Sequence, residues 1–134
     1  MHEKVFEQYK QRVLKCVDSL DYDQYIESVP LAAVIAVTDE PVPYDKRLEL
    51  DYEPIECGEI WGETWQSAWM KVSADVPKSF EGKELCLRIN VGGEALVFDV
   101  DGCPAYSLTG MSVFSNLYSK DRMVIGRFAA GAKI

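Results

Sequence analysis

A chain of 134 residues suits one domain and is long enough to bury about two thirds of the surface its unfolded form exposes. Its hydrophobic fraction of 48% excludes a disordered chain. Its net charge of −8 argues against nucleic acid and anionic membrane as partners, since both demand clustered Lys and Arg.

Residues 3–20 carry a helical stripe. Phe6, Tyr9, Val13, Cys16 and Leu20 recur at spacings of three and four, widened by Val5 and Val17, while Lys4, Glu7, Lys10, Gln11 and Lys15 keep the other faces wet. The stripe suits packing on the chain's own sheet or on a neighbouring domain; it is too short for a stable coiled coil. Asp21-Tyr22-Asp23 breaks the pattern and predicts the helix end, or the start of a second short helix through Ile26. Residues 29–37 fit either a buried strand or a helical segment, with Val34, Ile35 and Val37 favouring strand. This stretch holds the longest apolar run, far short of the ~20 residues that span a bilayer. No apolar core of signal-peptide length occupies the N-terminus, so the expected location is cytoplasmic.

Pro41 and Pro43 then exclude a helix and predict an extended connector over residues 38–45. Alternation of Leu48 and Leu50 with Glu49 and Asp51 predicts an edge strand at 47–52. From Ala68, the even positions Met70, Val72, Ala74 and Val76 are apolar and the intervening Lys71, Ser73 and Asp75 polar. That period of two defines a strand with one buried face. Pro77 ends it, and Glu81-Gly82-Lys83 turns the chain. Leu85, Leu87, Ile89 and Val91 mark the next strand, Gly92-Gly93 a break or bulge before Glu94, and residues 95–100 a third strand. Asp101-Gly102 predicts a two-residue hairpin turn with positive φ at both centres. Return strands follow at 104–108 and 123–128, separated by a loop at 109–119 that carries Met111, Phe114, Leu117 and Tyr118. Residues 129–132 read as a turn. Lys133-Ile134 reads as the opening of a further strand, so the chain is expected to be a fragment whose open edge invites a homo-oligomer.

The ordered series Gly58-Glu59-x-Trp61-Gly62-x-x-Trp65, Ala68-Trp69, Val76-Pro77, Gly82-Lys83 and Gly93 to Phe98 leading to Asp101-Gly102 resembles the N-terminal region of family 38 glycoside hydrolases. These are α-mannosidases, here of the bacterial and fungal cytosolic or vacuolar type. The resemblance spans roughly residues 41–110, with an echo in the leading helix. It departs at Met70, where the family usually has an aromatic. It implies a mainly β chain: an antiparallel jelly-roll-like (galactose-binding-like) β-sandwich over 29–134, truncated at its C-terminus, behind a helical segment at 1–28. The catalytic domain would lie outside this chain as its partner. The parent enzyme is implied to hydrolyse terminal non-reducing α-D-mannose residues, with retention and with zinc held in that domain.

The residues themselves offer little catalysis. Glycosidases set two carboxyl groups about 5 to 9.5 Å apart; Glu59, Glu63 and Glu94 stand near glycines but read as solvated turn residues. Cys16, Cys57, Cys86 and Cys103 show no CxxC pairing, and His2 is the lone histidine, so no metal site or cofactor is expected in this chain. The family's His-x-Asp zinc motif does not occur, and no catalytic residue can be carried over. Trp65 and Trp69 share a parity opposite to Met70 and Val72, which aims them off the core face. With Glu94 they are the candidates for sugar contact or interdomain packing, packing being the plainer use of large aromatics. A carbohydrate-binding module of another sugar-active enzyme is the alternative reading.

Overall fold

The computed structural model describes residues 3–23, 25–99, 101–110 and 119–134. The predicted loop residues Met111, Phe114, Leu117 and Tyr118 lie outside them, as does His2. The chain divides into two compact units, Met1–Pro30 and Leu31–Ile134. Among its described residues the first holds one helix, α1 (Glu3–Asp23), which closes on the Asp21-Tyr22-Asp23 segment expected to end it. Gln11 Nε2 donates to Glu7 Oε1 at 3.1 Å, an i,i+4 pair that supports the exposed face. No helix among the described residues is long and apolar enough to cross a membrane.

In the second unit every described strand pairing is antiparallel. β1 (Ala32–Thr38) lies between β2 (Glu53–Pro54) and β3 (Ser67–Ser73). β4 (Glu84–Arg88) pairs with β7 (Arg122–Arg127), and β5 (Glu94–Phe98) with β6 (Pro104–Thr109). Two neighbours settle the ambiguous stretch before Thr38 as strand: Ile35 sits opposite Met70 and Ala36 opposite Trp69 across the β1–β3 ladder. The predicted turn at 129–132 forms, with Ala132 N–H donating to the Ala129 carbonyl at 3.2 Å. Lys133 then bridges to Asp75, and Ala74 and Ile134 exchange backbone hydrogen bonds of 2.9 and 3.0 Å.

The edge strand predicted at 47–52 does not form. Pro43 holds φ at −58° and leads into a 3-10 helix, Tyr44–Glu49, opened by a hydrogen bond from Lys46 N–H to the Pro43 carbonyl. Two leucines in alternation are too few to outweigh a proline-started turn. Its fourth residue holds the turn from within: Arg47 stacks over the Tyr44 ring at 3.5 Å and donates to the Tyr44 carbonyl at 2.7 Å. Pairing to β1 resumes only at Glu53, opposite Ile35.

The third strand ends at Phe98 rather than residue 100, and its turn differs from the two-residue form. Asp99 N–H donates to the Cys103 carbonyl, and Gly102 N–H to the Asp99 carbonyl. Of the two predicted centres only Gly102 has positive φ; the Asp99 carboxylate accepts from the N–H groups of Asp101 and Cys103 and fixes the bend. The register of β5 against β6 shifts between Val97 and Phe98. Strict alternation from Ala95 and Val97 would leave Phe98 beside exposed Leu96, but it is covered instead.

Candidate functional site

The three residues singled out from the sequence fall in three different settings. Trp69 is in β3, half-buried, and its ring meets Tyr44 edge-on with centroids 5.9 Å apart and Phe98 at 5.3 Å. Tyr44 and Phe98 close the triangle at 4.8 Å. The indole N–H of Trp69 donates to the Val42 carbonyl at 2.8 Å, so its polar edge is satisfied without a ligand. Aromatic pairs at such distances add about 0.5–1.5 kcal/mol each beyond the area they bury. The cluster thus ties the proline connector, β3 and β5 together. Gly102 abuts the same cluster: a Cβ added there would lie 2.6–2.7 Å from the Tyr44 ring and hydroxyl, at a φ of +80°. No side chain other than hydrogen fits.

Cations flank this aromatic face. Lys71 Nζ sits 3.5 Å over the Tyr52 ring, and the Tyr52 hydroxyl donates to the Arg47 carbonyl at 2.9 Å. Burial pushes the Tyr52 phenol above its ordinary value of 10.0, and the Arg47 charge pulls it partly back. Tyr44, Phe98 and Gly102 were not foreseen as members of a site. The available signal was Trp69 itself, whose off-core parity required a cover, supplied by Tyr44 after the connector and by Phe98 of β5.

Trp65 stands apart from Trp69. It precedes β3 instead of sharing its parity, has φ of +74°, and is 93% exposed. Glu94 begins β5 opposite Thr109 and is exposed. The other two carboxylates lie in separate turns: Glu59 Oε2 accepts from Glu56 N–H at 2.7 Å, and Glu63 N–H donates to Gln66 Oε1 at 2.7 Å. Trp61 Nε1 donates to the Val91 carbonyl at 3.0 Å, which pins its loop to the connection between β4 and β5. Among the described residues no three His, Cys, Asp or Glu side chains gather where they could hold a metal ion. The described residues therefore offer no set of zinc ligands.

The unit is mainly β with antiparallel pairing, its half-buried aromatics packed on one another and one tryptophan displayed. The model of the family described as "Alpha-mannosidase, jelly roll domain" matches residues 29–133, and the chain belongs to that family. It is 31% identical to alpha-mannosidase 2C1 of Homo sapiens over 97 residues, which is 72% of this chain and 9% of the relative. It is 34% identical to alpha-mannosidase 2C1 of Mus musculus over 82 residues, 61% of this chain and 8% of the relative. Alpha-mannosidase G of Dictyostelium discoideum is 30% identical over 71 residues, covering 53% and 6%. The chain therefore spans less than a tenth of the length of these relatives. No solved structure gives a significant match.

Proposed function

We propose that this chain is a non-catalytic β-sandwich unit of an α-mannosidase and that it supports a catalytic domain carried by the same polypeptide. The whole enzyme would release terminal non-reducing α-D-mannose with retention, using zinc bound in the catalytic domain. The observation that carries this reading is the use of the best sugar-stacking candidate, Trp69, as a structural keystone between Val42, Tyr44 and Phe98. The match to a mannosidase jelly-roll domain over 29–133 supplies the enzyme class. Four free cysteines, three of them exposed, suit the reducing cytoplasm, where we place the protein. The exposed ring of Trp65 favours the second reading, a carbohydrate-binding module.

The test is turnover of an aryl α-mannoside by the full-length polypeptide that carries this chain and by the 134-residue chain alone. The full-length protein should hydrolyse it, lose activity to a chelator and regain it with zinc, while the short chain should be silent. Turnover by the short chain would overturn the non-catalytic assignment.

A further inference from the structure

Between Ile55 and Gln66 the chain forms a loop with three residues at positive φ: Gly58, Gly62 and Trp65. Glycine takes that conformation freely, but a tryptophan does so under strain, and strain persists only where the surroundings over-determine it. Here Gln66 does the holding. Its N–H donates to the Glu63 carbonyl at 3.1 Å, its Oε1 accepts from Glu63 N–H, and its Nε2 donates to Asp39 Oδ1 at 2.7 Å. The strain does not serve burial, since Trp65 is 93% exposed and Ile60, on the same loop, is 97% exposed. The backbone is locked so that two large apolar side chains face solvent.

We propose that this loop is a docking knob whose anchor, Trp65, inserts into an apolar pocket rimmed by Lys and Arg on another folded domain of the same polypeptide. The charge follows from the sequence of the loop: residues 55–66 carry Glu56, Glu59 and Glu63 and no Lys or Arg. The presence of further chain follows from the relatives, of which this one covers 9% or less. A rigid tryptophan suits such a contact because little freedom remains to be lost on binding. A sugar platform is the weaker fit. It needs polar groups free to reach hydroxyls beside the ring, and here the Glu59 carboxylate is turned onto its own loop while the Gln66 amide is engaged by Glu63 N–H and Asp39.

This inference rests on the reading of the chain as one unit of a longer mannosidase. The test uses that full-length polypeptide with 5-fluorotryptophan incorporated, the Trp65 resonance being assigned by its loss in Trp65→Phe. The Trp65 signal should be shielded from solvent. Glu63→Lys should increase protease cleavage between this unit and the rest several-fold, with the difference shrinking in high salt. A Trp65 signal as solvent-accessible as a free indole would overturn the proposal. So would a saturable shift of that signal on titration with manno-oligosaccharides in a protein whose cleavage Glu63→Lys leaves unchanged. Activity of the same wild-type sample separates the two readings: an active enzyme with an exposed Trp65 removes the docking knob alone, whereas an inactive one removes the mannosidase assignment.

Discussion

Two tryptophans four residues apart meet opposite fates in this fold. Trp69 sits in regular β3, packs against the rings of Tyr44 and Phe98 and donates its N–H to the Val42 carbonyl. Trp65 lies just before the strand on a left-handed residue and meets water. One is held where a strand wants it; the other is held against its own backbone preference. The contrast shows that hydrophobicity alone does not tell a structural aromatic from a displayed one, while backbone conformation and polar satisfaction do.

The sharpest way to break this contrast is Trp69→Ala. It should destabilise the chain by about 3 kcal/mol, a half-buried share of the cost of emptying an aromatic site plus a carbonyl at Val42 left without its donor. Urea denaturation reads this directly, and a loss below about 1 kcal/mol would show that the aromatic triangle is not a keystone. Trp65→Gly should act in the other direction. Removing the Cβ at φ +74° relieves strain worth about 1–2 kcal/mol, against roughly 0.5–1 kcal/mol of added chain entropy, so stability should stay level or rise slightly. A clear fall in the denaturation midpoint would mean that Trp65 is packed after all. The smallest effect concerns Tyr52. Its folded pKa is raised above 10.0, so the unfolded chain ionises first as the solution becomes alkaline. Its contribution is fully present below that value and is lost as pH rises through and beyond it. Tyr52→Phe should flatten the decline in melting temperature above about pH 10, and an unchanged alkaline slope would assign that decline to other groups.

Much of the second unit was legible in the residues. Alternation at Met70, Val72 and Ala74 marked β3, the Leu85–Leu87 pattern marked β4, and Gly92-Gly93 marked the break before Glu94. Local patterning failed where a specific side-chain contact, and not the spacing of apolar residues, decided the outcome. Arg47 folds back on Tyr44 and turns an apparent edge strand into a 3-10 helix. The Asp99 carboxylate selects a bend with a single left-handed residue, and a register shift at Val97 brings cover to Phe98. At the site, the importance of Trp65 and Trp69 could be read, but not their division of labour. That division depends on the φ of one residue and on a carbonyl 27 positions before Trp69.

The bridge from Asp75 to Lys133, with the hydrogen bonds that Ala74 and Val76 share with residues 131–134, joins positions almost sixty apart. During synthesis the segment that follows β3 therefore waits, the amides of Ala74 and Val76 unclaimed, until those residues clear the ribosome. Contacts of such sequence separation slow folding and leave a bare rim open to mispairing in the interval. A pause or cleavage upstream of residue 131 would be expected to send nascent chains to chaperones, so the segment around Lys133 acts as the latch that ends their vulnerability.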